Sequence, residues 1–168
     1  MTPAIDFRPM LASDLAMFRE WLGRPHVAEW WDGVPSHEEL MEEYAPAVPR
    51  LDVAHYIVLM DDAPIGFIQS YVAKDAGGGW WPDEQDPGVR GIDQFLANES
   101  QLGRGIGTRM VRAFGDRLFA DPGVTRIQTD PSPKNGRAIR CYEKAGFRAV
   151  REVITPDGPA LLMYRDRD

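Results

Sequence analysis

An α/β fold, one mixed sheet with helices on both faces, is the class this sequence predicts. Three observations carry the prediction. A chain of 168 residues is the size of one domain and long enough to bury a core of its own. Strand-like runs alternate with amphipathic helical runs from one end to the other. The composition, 43% hydrophobic and 27% charged, is that of an ordinary globule, with no internal repeat, no low-complexity segment and nowhere about 18 apolar residues together. One domain over residues 1–168 is expected.

The elements follow in chain order. "IDFRPM", Ile5 to Met10, is a short first strand. Ser13 and Asp14 supply N-cap chemistry for "LAMFREWL", where Leu15, Phe18 and Leu22 recur at helical spacing. "PHVAEWW" has room for a short second helix, and "SHEELMEEY" is a third, with Ser36 and Glu39 at capping-box distance. "AHYIVLM" and "PIGFIQSYV", rich in Ile, Val and aromatics and separated by "DDA", form a hairpin. Residues Ala73 to Gly88, "AKDAGGGWWPDEQDPG", are too long and too polar for a tight turn, and two adjacent tryptophans are costly in a solvated tether, so a functional loop is expected there. Next come the strand within "DPGVRGIDQFLANESQ", a helix "TRMVRAFGDRLF", a strand "TRIQTDP", a helix "NGRAIRCYEKAG" closed by Gly146, and the strands "FRAVREVI" and "ALLMYR".

Charge narrows the function classes. A net charge of −7 repels nucleic acid and anionic membrane at long range and draws in cations. The single cysteine, Cys141, leaves no internal disulfide and no all-cysteine zinc site, which suits a reducing compartment. "MTPAIDFRPM" has no basic region followed by an apolar core, so a cytoplasmic protein is expected. His26, His37 and His55 have no metal-ligand spacing, and no metal site is expected.

Gly103, Gly105 and Gly107 stand at alternate positions ahead of a helix expected to start near Thr108. Residues without a Cβ let backbone N–H groups curl around an anion at the positive end of a helix. A glycine-rich turn is as often purely structural, and both readings stay open on this feature alone. No Gly-Lys-Ser/Thr follows, which excludes a P-loop, and the spacing also fails the dinucleotide fingerprint. The second signal is "NGRAIRCYEKAGF", with Asn135 at a helix start and Ala138, Ile139 and Tyr142 on one side of the helix.

"QLGRGIGTRM" followed some thirty residues later by "NGRAIRCYEKAGF" resembles the GCN5-related N-acetyltransferase (GNAT) superfamily. The stretches "HVAEWW", "PIGFIQSYV", "GWWPDEQDPGVRGIDQFLANESQLGRGIGTRMVRA", "IQTDPSPKNGRAIRCYEKAGF" and "TPDGPA" are similar to the aminoglycoside 6′-N-acetyltransferases within it, from about Phe7 to Tyr164. The resemblance implies a central, mixed, mostly antiparallel sheet flanked by helices, with acetyl-CoA as cosubstrate. The loop Leu102, Gly103, Arg104, Gly105, Ile106, Gly107 and Thr108 would bind the pyrophosphate, and Phe95, Leu96 and Ala97 would pair with the pantetheine arm as with an added strand. Asn135 and Ala138 complete the expected cofactor contacts. Two departures stand out. Leu102 occupies the place of the usual Arg or Gln, with Gln101 one position off, and "GGGWW" lacks an acid such enzymes carry before the tryptophans.

Asp93 lies in a strand of otherwise apolar character, and burying a lone carboxylate is costly unless it is paired. An ion pair with Arg90 or a backbone cap explains it structurally. Functionally, an alkylammonium cannot attack a thioester, and a carboxylate beside the nitrogen, direct or through water, fits the general base. The resemblance favours the second. Tyr142 is either core or, by the same resemblance, the acid that protonates the departing CoA thiolate. Cys141 has no His beside it in sequence and is expected to pack as a small apolar group.

For a polycationic substrate the expected contacts are Asp86, Asp130 and Asp157, together with Asp93 and Tyr71. Trp80 and Trp81 would offer flat faces to sugar rings, and Glu29, Trp30 and Trp31 an opposite wall. Asp83 and Glu84 are expected to be solvated surface, while Asp130 and Asp157 each have a helix-cap or turn role as the alternative. The resemblance then implies acetyl transfer to an aminoglycoside 6′-amine in a ternary complex, and a monomer without nucleic-acid or membrane partners is expected. The rivals are a siderophore-type lysine N-acyltransferase and a non-catalytic binder of cationic drug or CoA.

Overall fold

The computed structural model describes residues 2–31, 33–44 and 53–168. Seven strands form one sheet in the order β1-β2-β3-β4-β5-β7-β6: β1 (Ile5–Pro9), β2 (Val53–Met60), β3 (Ala63–Val72), β4 (Val89–Leu96), β5 (Arg126–Thr129), β6 (Arg148–Thr155) and β7 (Gly158–Asp166). The helices are α1 (Leu15–Leu22), α2 (Pro25–Ala28), α3 (His37–Tyr44), α4 (Ile106–Phe119) and α5 (Gly136–Lys144). The sheet is mixed, as expected: β1 with β2, β5 with β7 and β6 with β7 run antiparallel, whereas β4 and β5 run parallel. The chain divides into two compact units, Met1–Gln69 with Gln94–Leu102, and Ser70–Asp93 with Gly103–Asp168.

The first unit is built around aromatic rings. Phe18 of α1 lies 4.7 Å from Phe67 of β3 and 5.9 Å from Phe95 of β4, centroid to centroid. Leu15, Trp21, Leu22, Val27, Leu40 and Ile57 close the cluster. The β2–β3 hairpin turns on Asp61 and Asp62, both at positive φ (47° and 67°), the geometry of a two-residue primed turn whose twist matches the strands. The expected capping box on α3 is present in both halves: Glu39 N–H donates to Ser36 Oγ at 3.2 Å, and Ser36 N–H to Glu39 Oε2 at 2.9 Å. Asp14, in contrast, does not cap α1. Its carboxylate is held by the Arg8 guanidinium at 2.7 and 2.8 Å and accepts the Leu11 N–H at 2.8 Å, which closes a 3-10 turn ahead of the helix.

In the second unit Met110, Val111 and Phe114 of α4 are fully buried, as are Ile92, Ile127 and Met163 of the strands. Helix α4 begins at Ile106, two residues earlier than expected, so Gly107 is helical and Gly105 is the N-cap. The α4 C-terminus is tied down by Arg167, whose Nη2 donates to the carbonyls of Phe119, Asp121 and Val124. Gly91 of β4 allows Tyr71 to lie against the sheet, because a Cβ there would overlap the Tyr71 ring.

Candidate active site

The register of the parallel pair sets the site. Val89 pairs with Arg126, Arg90 with Ile127 and Gly91 with Gln128. Two residues beyond the last pair, each strand carries an acid, Asp93 on β4 and Asp130 just after β5. Parallel strands point the same way, so both carboxylates arise at one edge, the carboxyl ends where α/β sheets place their ligands. Strand β7 runs antiparallel to β5 and begins at that edge, which brings in the β6–β7 turn and Asp157. That turn is the expected one: Thr155 Oγ1 donates to the Gly158 carbonyl at 2.9 Å and accepts the Asp157 N–H at 3.1 Å, with Gly158 at φ 107°.

The three acids feel one another. Burial first, then the charges of Asp93 and Asp157, push the Asp130 carboxyl up from 3.8 to about 8. Like carboxylates gathered at one place cannot all ionise. Beside them is Tyr71, whose phenol is pushed well above 10.0 by burial and then by Asp93 and Asp130, so it stays a neutral hydroxyl. Trp81 Nε1–H donates to Tyr71 Oη at 2.9 Å. That bond holds the tryptophan loop to β3 and helps keep the Trp81 backbone at φ 48°, a left-handed conformation rare outside glycine. Trp80 packs on Trp81 with centroids 6.0 Å apart. Gln128, 2% exposed, is a further polar neighbour of the phenol.

Sequence reasoning passed over Gln128, although a polar side chain between Ile127 and Thr129 in a short buried strand was its signal. Arg90, weighed as a partner for Asp93, donates from Nη1 to the Pro87 carbonyl at 2.7 Å.

Asp86 stands apart from the acid group. Its Oδ1 accepts the Gly88 N–H and its Oδ2 the Thr125 hydroxyl, each at 2.7 Å. These bonds, and secondarily the charges of Arg126 and Arg90, hold it below the usual carboxylate range. In this structure it anchors the end of the tryptophan loop.

Gly103 and Gly105 take positive φ, 71° and 79°, and a Cβ at either would meet open space. Among the described residues no side-chain hydrogen bond caps the α4 N-terminus, whose first N–H groups have no partner within the helix. The loop from Leu102 through Arg104 to Thr108 leads into these N–H groups. On α5, Asn135 Oδ1 accepts the Ala138 N–H at 3.2 Å, so the oxygen of that expected cofactor contact serves as the helix cap. Tyr142 is 4% exposed and packs on Phe147 with centroids 5.6 Å apart. Cys141 takes a hydrogen bond from Thr108 Oγ1 at 3.9 Å, and burial raises its thiol, as suits a packing residue.

The remaining expected residues belong to the first unit. Phe95, Leu96 and Ala97 are the buried end of β4 and the residue after it, and the Ala97 N–H donates to the Ile65 carbonyl at 2.8 Å. Glu29 and Trp30 are exposed at the end of α2. Trp31, partly buried, stands edge-on to Phe95 at 5.2 Å and to Phe67 at 5.9 Å and packs against the aromatic core. Among the described residues no group of His, Cys, Asp and Glu is arranged to hold a metal, and no helix is long and apolar enough to cross a membrane.

A mixed seven-stranded sheet with acids at the strand ends and glycines ahead of α4 suits an acyl-CoA-type transferase, and residues 10–155 match the family model of the acetyltransferase (GNAT) domain. The chain belongs to that family. It is 55% identical over 168 residues to the aminoglycoside N(6′)-acetyltransferase type 1 of Klebsiella pneumoniae, covering 98% of this chain and 84% of the relative. The crystal structure of aminoglycoside acetyltransferase AAC(6′)-Ib in complex with coenzyme A and kanamycin superposes with a TM-score of 0.93 at 55% identity, over 98% of this chain and 95% of that one. More distantly, the chain is 26% identical over 160 residues to the lysine N-acyltransferase MbtK of Mycobacterium tuberculosis, covering 90% of this chain and 72% of the relative.

Proposed function

We propose that this protein transfers an acetyl group from acetyl-CoA to the 6′-amine of aminoglycosides by direct attack within a ternary complex. The observation that carries it is the convergence of Asp93, Asp130 and Asp157 at one end of the strands, close enough for the charges of Asp93 and Asp157 to act on Asp130. A site built of crowded carboxylates is completed by a cation, and several ammonium groups match several acids. Likeness to an aminoglycoside acetyltransferase crystallised with coenzyme A and kanamycin supports the same substrates here.

Each residue has a task in this reaction. Asp93 accepts the substrate ammonium and helps remove its proton, and the freed amine attacks the thioester carbonyl. A backbone N–H of the Phe95 to Ala97 segment meets the oxyanion. Tyr142 returns a proton to the CoA thiolate as it leaves. Asp130, Asp157 and Tyr71 hold other substrate groups, and Trp80 and Trp81 offer faces to the sugar rings. The N–H groups of Gly103 to Thr108 take the pyrophosphate, with the positive end of α4 behind them. Because N–H groups do this binding, Leu102 in place of the usual Arg or Gln does not remove it.

The chain functions in this proposal as one catalytic domain and as a cytoplasmic monomer, without nucleic acid or membrane. The deciding experiment is acetyl-CoA turnover against aminoglycosides with a 6′-amine and matched compounds with a 6′-hydroxyl, with a lysine side chain as a third acceptor. Turnover confined to 6′-amines is expected. Faster acylation of lysine would move the protein to the siderophore type, and binding without turnover would make it a sequestering module.

A further inference from the structure

Helix α2 is only one turn long, but two donors at its start reach the far end of β4. Arg24 is its N-cap, in extended conformation (φ −70°, ψ 134°), and Pro25 fixes the first helical residue. His26 follows one position later. His26 Nε2 lies 2.9 Å from the Leu96 carbonyl oxygen. A carbonyl only accepts, so Nε2 carries the proton. Arg24 Nη1 donates to the Ala97 carbonyl at 2.7 Å and to Asn98 Oδ1 at 2.8 Å. On its other edge the same guanidinium is fixed by Glu20, through Nε at 2.7 Å and Nη2 at 2.8 Å. Asn98 passes the constraint on, its Nδ2 donating to Gln101 Oε1 at 3.3 Å in the turn that leads to Leu102.

The strand's own alternation says what these bonds are placed to do. The Ala97 N–H is turned to the Ile65 carbonyl of β3. In an extended strand the N–H and C=O of one residue share an edge and successive residues alternate, so the groups of Leu96 face away from β3. The β4–β5 register has already ended at Gly91 and Gln128. The Leu96 carbonyl is met by His26 instead, and with two lone pairs it can take a second donor.

We propose that His26 and Arg24 are positioning residues for acetyl-CoA: by holding the Leu96 and Ala97 carbonyls they fix the end of β4 at the height and twist that lets it pair with the amides of the pantetheine arm. This rests on the assignment of that arm to Phe95, Leu96 and Ala97. Neither side chain enters the chemistry. Their contribution is a strand end already ordered before the cosubstrate arrives, so less of the binding energy is lost to ordering it.

The test compares His26→Phe, which keeps a ring and loses the donor, with His26→Gln, which keeps an N–H at similar reach. His26→Phe is expected to raise KM for acetyl-CoA about five- to tenfold, the size of one hydrogen bond, with the aminoglycoside KM within about twofold. His26→Gln is expected to restore most of the loss. Acetyl-pantetheine, which lacks the pyrophosphate, separates the two attachment points. The fold-loss of His26→Phe in kcat/KM should persist with it, whereas that of Gly105→Val should vanish. A folded His26→Phe with unchanged acetyl-CoA KM, equal losses for both substrates without rescue by Gln, or a loss that disappears with acetyl-pantetheine overturns the proposal. If His26→Phe does not fold, Arg24→Met carries the same comparison. Unaltered calorimetric affinity of Gly105→Val for CoA would instead refute the cofactor assignment itself.

Discussion

At Asp130 two demands oppose each other. The carboxyl is buried and placed beside Asp93 and Asp157, so ionisation is disfavoured and its pKa rises from 3.8 to about 8. The folded state then holds a proton that the unfolded chain releases, so the stabilisation is complete below about pH 4 and is lost as pH rises through about 8. Asp130→Asn removes this dependence, and its melting temperature should gain on the wild type between about pH 5 and about pH 8.5, measured by thermal melts across that range. The same substitution should weaken aminoglycoside binding more than neutralising the exposed Asp83, a trade of function for stability. The two chemical roles separate in kinetics. Asp93→Asn keeps the shape and loses the charge, and kcat/KM should fall by about 10²-fold or more. If Tyr142 protonates the leaving thiolate, as proposed, Tyr142→Phe should lower kcat with aminoglycoside KM nearly unchanged. Full kcat in that variant would reduce Tyr142 to the packing partner of Phe147.

Two glycines make opposite predictions at the scale of elements. At Gly105, the N-cap of α4, a side chain would stand in open space but at φ 79°, where β-branched residues are strained. Gly105→Val should therefore leave a folded enzyme with a raised KM for acetyl-CoA, as the cradle's donors are screened from an anion. At Gly91 the backbone is ordinary and the space is absent, since the Tyr71 ring fills it. Gly91→Ala should cost about 1–3 kcal/mol in denaturant unfolding, the scale of an overpacked core. It should also raise aminoglycoside KM by shifting the phenol that holds Trp81.

The whole molecule carries a net charge of −7, and the acids of the site lie within that field. Attraction of a polyamine to such a surface is screened once the Debye length falls to about 10 Å, so aminoglycoside KM should rise from about 10 mM to about 150 mM salt. A salt-independent KM would take long-range attraction out of the account. Much of this was legible along the chain because it depends on neighbours in sequence. Asn, Ser and Glu at helix starts, paired aspartates at a two-residue turn, the glycine loop and the alternation of strands and helices act over a few residues, and the family motifs are contiguous strings. Asp14 misled because a capping residue type does not reveal that Arg8 will claim its carboxylate. Asp86 and Trp31 show the same limit: nothing local in a loop acid or a tandem tryptophan announces that Thr125 and Phe95 will be brought to them. The sequence by itself determined the class of fold, the family and the identity of each acid. Only the tertiary structure decided that Asp93 and Asp130 stand side by side with Asp157, that Tyr71 needs Gly91, and that His26 and Arg24 hold the end of β4. Those are meetings between strands and helices tens of residues apart, fixed by pairing register and packing, which no local propensity encodes.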